Sequence, residues 1–152
     1  MDLKLTETGS GGDLIFNGFD LETIEGFENM PYLGMYGGNL VQSTKEFAEG
    51  EQRFDYWANT LLTDRNLAIQ MNSDTERLLN NVALNSAARI NIEETVKSDL
   101  SFMSDFAEIE VFASIEDVDR LKIFIKITRP DSEQQKEFVY IWDATKNELL
   151  NG

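Results

Sequence analysis

Between Glu108 and Asp143 apolar and polar residues alternate in three runs separated by two turn signals. The first, Glu108–Glu116, sets Ile109, Val111, Ala113 and Ile115 on one face. The second, Arg120–Thr128, does the same with Leu121, Ile123, Ile125 and Ile127. A third, Glu137–Trp142, is apolar on both faces: Phe138, Tyr140 and Trp142 on one, Val139 and Ile141 on the other. Period-two alternation in β-branched and aromatic residues predicts strands, and the short connections predict an antiparallel meander.

The register of the first hairpin follows from its side chains. A three-residue loop Asp117-Val118-Asp119 sets Glu116 opposite Arg120, Ser114 opposite Lys122, Phe112 opposite Phe124 and Glu110 opposite Lys126. The other face then pairs Ile115 with Leu121, Ala113 with Ile123, Val111 with Ile125 and Ile109 with Ile127. Each good cross-strand pair contributes roughly 0.2–1 kcal/mol. A slip of one residue would turn every aliphatic side chain to the wrong face.

Upstream, Ser73-Asp-Thr-Glu76 reads as a capping box that opens a helix carrying Leu78, Leu79, Val82 and Ala83. A second helix shows the stripe Ile92, Val96, Leu100 and Met103, with Glu93, Glu94, Lys97 and Asp99 on its solvated side. Nearer the start, Leu3–Leu5 and Asp13–Phe16 predict a hairpin around Thr8–Gly12, and Asn17-Gly18 marks a further turn. The glycine-rich stretch Gly26–Gly38, with Tyr32, Met35 and Tyr36, predicts an irregular segment that packs through its side chains. It lacks the Lys-Ser/Thr of a phosphate loop. Leu40–Gln52 reads as a polar excursion, and Tyr56 and Trp57 as core anchors. Strands, two helices, then a meander predict one α+β domain over 1–152, with the N-terminal strands and irregular segment in 1–62, helices in 73–104 and the three-stranded meander in 107–143. The helix stripes should cover the aliphatic face of the sheet.

Composition narrows the chemistry. With 152 residues, 41% of them hydrophobic, the chain is long enough to bury a core. Neither a signal-peptide layout nor a membrane-length apolar window is present. A net charge of −15, with basic residues interleaved among acids, argues against nucleic acid as a partner. Cysteine and histidine are both absent, which removes disulfides, thiolate metal sites and the commonest general base. Asp117 and Asp119 could ligate a metal, but aspartates are ordinary turn residues and the twelve-residue calcium-loop pattern is missing. No catalytic set emerges, no cofactor is expected, and the reading is of a chain that is not an enzyme.

The pattern resembles the small baseplate wedge proteins of contractile-tailed phages, of the Mu-like type, which are related to tail wedge subunits once labelled lysozyme-like. The likeness rests on Gly12-Asp-Leu14, Leu21-Glu-Thr23, the aromatic pair Tyr56-Trp57, the two helices, Arg129-Pro-Asp131 and Phe138-Val-Tyr-Ile-Trp-Asp-Ala144. The chain departs from the family in lacking Thr-Asp-Arg-Arg after Leu-Glu-Thr; Thr63-Asp-Arg65 comes much later. The resemblance implies a structural subunit that links hub and outer baseplate and helps to start the sheath. Its partners would be other baseplate proteins, the sheath and the hub or spike. It would be present in several copies in the virion and made in the host cytoplasm, without nucleic-acid or membrane contact.

Two other classes stay open on the residues alone. The net charge allows an acidic inhibitor that mimics DNA, and the abundant carboxylates allow a glycosidase pair to be drawn. Partner contact is expected at Phe138, Val139, Tyr140, Ile141 and Trp142, on the strand that wants cover on both faces.

Overall fold

The computed structural model describes residues 1–7, 12–24, 27–37, 73–130 and 135–151. Tyr56, Trp57, Thr63-Asp-Arg65 and the polar stretch Leu40–Gln52 lie outside them. The described chain is α+β. In order it runs through β1 (Asp2–Leu3), β2 (Leu5–Glu7), β3 (Gly12–Leu14), β4 (Thr23–Ile24) and α1 (Met30–Tyr36). It continues with α2 (Thr75–Asn81), α3 (Ser86–Asp99), a 3-10 turn (Ser101–Met103), β5 (Glu108–Asp117), β6 (Arg120–Thr128), β7 (Gln135–Asp143) and β8 (Glu148–Asn151).

The last four strands form one antiparallel sheet in the order β5-β6-β7-β8. Its inner face carries Val111, Ala113, Leu121, Ile123, Ile125, Ile127, Tyr140 and Trp142, all buried. The α3 stripe Ile92 and Val96, continued by Leu100 and Met103, is fully buried in the same core. An amphipathic helix laid on the apolar face of a sheet is the expected two-layer solution.

The hairpin register holds from Ile109–Ile127 to Ile115–Leu121, and Phe112 faces Phe124 with ring centroids 6.4 Å apart. At its tip the structure corrects the expected loop. Arg120 faces Asp117 rather than Glu116, across an irregularity between Ile115 and Asp117. Glu116 is the extra residue of a bulge, and the turn shrinks to Val118-Asp119. Neither turn residue takes positive φ, so this is not a primed turn, and the bulge at Glu116 supplies the added local twist. This one is also tied down, because the Ala144 amide donates to the Asp119 carbonyl at 2.7 Å and the Thr145 hydroxyl to Asp119 Oδ2 at 3.1 Å.

The meander does not stop at Trp142. Asp143 is buried and its Oδ1 accepts from the amides of Thr145 at 2.9 Å and Lys146 at 3.0 Å, a side-chain-closed turn. Asn147 then takes φ 54°, a left-handed conformation that asparagine tolerates. The chain returns as β8 against Ile141–Asp143.

Three further expectations change. The glycine-rich stretch is not irregular throughout: Met30–Tyr36 is helical, with proline in its first turn, where a missing amide costs nothing. Its side chains do pack as anticipated. Met35 is buried, Tyr32 stacks on Tyr36 at 5.5 Å, and Tyr36 meets Tyr140 at 6.2 Å. Gly34 permits close approach to the other helices, since a Cβ there would stand 2.8 Å from Leu100 Cδ2.

The capping box does not form. Neither Ser73 nor the N-cap residue Asp74 caps α2 with its side chain. The carboxylate of Asp99, at the end of α3, accepts instead from the Asp74 amide at 2.9 Å, the Thr75 amide at 2.8 Å and the Thr75 hydroxyl at 2.7 Å. A charged acceptor satisfies orphan amides better than a hydroxyl and favours the positive helix end. The helix also ends at Asn81, before Val82 and Ala83, where the backbone turns extended.

At the N-terminus β2 pairs with β3 as a hairpin, Leu5 opposite Leu14, while β1 pairs separately with β4. The Asn17-Gly18 turn is present: Asn17 Oδ1 accepts from the amides of Phe19 and Asp20, and Gly18 takes φ 97°. Asn29 ties this region to α1, donating to the Leu3 carbonyl at 2.6 Å and accepting from the Leu5 amide at 3.2 Å.

Candidate functional site

The outer face of the sheet is built from the residues that alternate away from the core. Register fixes them in rows. Glu110, Lys126 and Glu137 form one row, Phe112, Phe124 and Val139 the next, and Ser114, Lys122 and Ile141 the third. Phe112 is 54% exposed and Val139 39%, with Phe124 and Ile141 half-exposed. An apolar row therefore crosses three strands between two rows that contain lysine. Lys126 Nζ sits 2.7 Å from Glu110 Oε1. Its ammonium pKa is raised above 10.5, first by that hydrogen bond and then by the fields of Glu110, Glu108 and Glu137.

The five partner-contact residues divide between the two faces. Tyr140 and Trp142 are buried against the helices, and Phe138 is half-buried beside them. Contact through the side chains of Phe138, Tyr140 and Trp142 is thereby corrected, because that side of the strand is part of the chain's own core. Burial pushes the Tyr140 hydroxyl well above its ordinary pKa of 10.0. Val139 and Ile141 remain on the outer face.

Nor is β7 the last strand of a three-stranded meander, because β8 pairs with Ile141, Trp142 and Asp143. Which groups of β7 stay free follows from hydrogen-bond alternation. The amide of Ala113 donates to Glu93 Oε1 at 2.8 Å, and its carbonyl accepts from Arg89 Nη1 at 3.5 Å. Both main-chain groups of Ala113 therefore point away from β6. In an antiparallel sheet such outward positions alternate. Carried across the register, Tyr140 and Phe138 turn their main-chain groups toward β6, while Ile141, Val139 and Glu137 turn theirs toward the far side. Ile141 meets Asn151 there. Among the described residues no strand lies opposite Val139 or Glu137.

The sheet's other edge is treated differently. Glu93 and Arg89, themselves 2.7 Å apart on α3, close the β5 edge at Ala113 with side chains. Glu93 and Asp99, expected on the solvated side of the helix, are thus both structural acceptors. Apart from the Arg89–Glu93 pair, nothing in the spacing of α3 marks these roles, because the amides that the two carboxylates accept from lie on β5 and at the start of α2.

Asp117 and Asp119 serve their turn. Asp117 Oδ1 accepts from the Val118 amide at 2.7 Å and Asp119 from Thr145. Among the described residues no group of three or more acidic side chains converges as a metal site. Comparisons with family models, with curated proteins and with solved structures find no match to this chain.

Proposed function

We propose that the chain is a non-enzymatic assembly subunit, and that its assembly is the baseplate wedge of a contractile tail. The observation that carries the first part is the row Phe112, Phe124 and Val139 on the outer face of a sheet whose opposite face is buried in the chain's own core from Val111 to Trp142. Apolar side chains gathered on one exposed face mark interaction surfaces more often than solvent-facing ornament. The second part rests on the sequence resemblance, whose two most specific segments are Arg129-Pro-Asp131 and Phe138 to Ala144, the latter running from within β7 into the turn after it. In this reading the subunit links hub and outer components and offers a platform for the first sheath ring.

The net charge also allows a DNA mimic, but the outer face argues against it. Mimicry needs carboxylates spaced like phosphates, and here Lys122 and Lys126 interrupt them, with Glu110 ion-paired to Lys126. The test is incorporation. Tail-like particles should contain the wild-type chain, whereas a Phe112→Ser, Phe124→Ser double variant, folded by circular dichroism, should be missing from them. Normal incorporation of the variant removes the surface. Particles that never contain the chain remove the baseplate assignment.

A further inference from the structure

We infer that the open half of the β7 edge receives an extended segment of a partner, running antiparallel to β7, with an apolar residue beside Val139 and a lysine or arginine beside Glu137. The inference deepens the assembly reading above and rests on it for its biological setting, though not for its test.

Three observations fix the occupant. First, the free groups are main-chain ones. Val139 and Glu137 turn an amide and a carbonyl away from β6, and among the described residues β8 pairs no further along the strand than Ile141. Only another extended backbone satisfies two such positions in alternation, as in strand addition to an exposed sheet edge. All three neighbouring pairs of this sheet are antiparallel, and that pairing is slightly more stable per residue.

Second, the outer-face rows prescribe side chains. The row Phe112, Phe124, Val139 is apolar up to the edge, so an apolar residue in the next column extends it. The row Glu110, Lys126, Glu137 alternates in sign and ends on an acid. Its lysine is already held by Glu110 at 2.7 Å, so the charge that continues the row is positive. Third, the chain carries −15 overall, which draws a basic segment toward the surface and repels a second copy of itself. On the inner side Lys136 pairs with Glu28, so the occupant needs no charge there.

No proline occurs in β7, and the charge on the outer face at the open positions is Glu137, which leaves the ladder accessible to a basic strand. Where Ala113 faces outward on β5, by contrast, Glu93 and Arg89 occupy both groups.

The probe is a capped pentapeptide, Val-Thr-Lys-Thr-Thr, titrated into the purified protein and followed by amide NMR. It should shift the amides of Val139 and Glu137 and slow their exchange with solvent, leaving Ala113 unchanged. Replacing the peptide lysine with glutamate should weaken binding about fivefold, the size of a cross-strand charge reversal. Glu137→Lys in the protein should invert that preference. N-methylation of the peptide valine and lysine keeps both side chains but removes the ladder donors, and should abolish binding.

Equal binding by the N-methylated peptide, or no shift in β7 up to about 5 mM, weaker than any useful strand contact, overturns the inference. So does an unchanged charge preference in Glu137→Lys. Val139→Pro removes an outward donor and should lose the peptide while staying folded; should it unfold, the N-methyl and charge-swap arms decide. A chain found in tails whose edge ignores the peptide defeats this inference alone. Peptide binding by a chain absent from tails defeats only the baseplate assignment.

Discussion

Removing the side chain of Glu93 tests how the β5 edge is closed. Its Oε1 accepts from the Ala113 amide at 2.8 Å and from Arg89 at 2.7 Å, with the Glu93 side chain 18% exposed. In Glu93→Ala the Ala113 amide loses a charged acceptor at a part-buried site, a loss of about 1.5–3 kcal/mol. The better helix propensity of alanine returns a few tenths, and the Arg89 pair, more than a third exposed, adds little. The net is about 2 kcal/mol. With a urea slope of about 2 kcal/mol/M, the unfolding midpoint should fall by about 1 M at constant slope. In Glu93→Gln the amide oxygen can still accept, so the loss should stay under about 1 kcal/mol, that of a neutral bond replacing a charged one. Equal midpoints for the alanine and glutamine variants would show that the carboxylate is not the acceptor that matters, and the account of this edge would fail.

Ile123→Asp places a carboxylate where the wild-type side chain is fully buried in the central strand; a penalty of several kcal/mol against a total of roughly 5–15 kcal/mol should leave no folded protein by near-ultraviolet circular dichroism. Lys122→Ala, on the outer face, should cost well under 1 kcal/mol, and equal thermal shifts for the two would show the face assignment to be wrong. Asp99→Ala removes the acceptor of two α2 amides and the Thr75 hydroxyl, and should cost about 1–2 kcal/mol in urea, whereas Ser73→Ala should cost little because Ser73 caps nothing. Burial holds the Tyr140 pKa above its ordinary 10.0, so its contribution is full below pH 10 and declines as pH rises beyond, where the unfolded chain ionises first. Alkaline titration of stability should therefore flatten in Tyr140→Phe.

The sheet was legible because its signals are local and repeated. Alternation over nine or ten residues fixes a face, and seven matched pairs fix a register, so Phe112 meets Phe124 as the sequence requires. The four-residue β8 offers no such repetition. Its announcement is the side-chain turn of Asp143 and the left-handed Asn147, two polar residues that read equally well as a trailing end. The helix α1 was hidden by composition, since glycine at Gly34 disfavours helix in isolation and only the approach to Leu100 makes it an advantage. The capping box failed for another reason: Ser73 and Glu76 satisfy the local pattern, but Asp99 arrives from 25 residues away with a stronger acceptor. Of the candidate surface, Val139 and Ile141 were identifiable from alternation. Phe112 and Phe124 can be paired with each other and placed on the face away from the helices, but the pairing alone does not show that Phe112 stays more than half exposed there.

The two edges of the sheet bear on how an unprotected ladder coexists with a chain that must not polymerise. An edge can be closed by side chains, as Glu93 and Arg89 close β5 at Ala113, or by a further strand, as β8 closes β7 at Ile141. Beyond Ile141 the described residues supply neither device, and in the same place the outer face turns apolar with Val139 exposed beside Phe124. Either feature alone is common on a soluble domain; together they form a strand-binding template with a side-chain preference. What restrains self-pairing is charge. An edge ending its row on Glu137, on a chain carrying −15, meets a second copy of itself with acid against acid. A basic strand meets no such barrier. The acidity that first reads as mere solubility thus acts as selection at this edge, penalising the commonest wrong partner, another copy of the same strand, while leaving the ladder available to a complementary one.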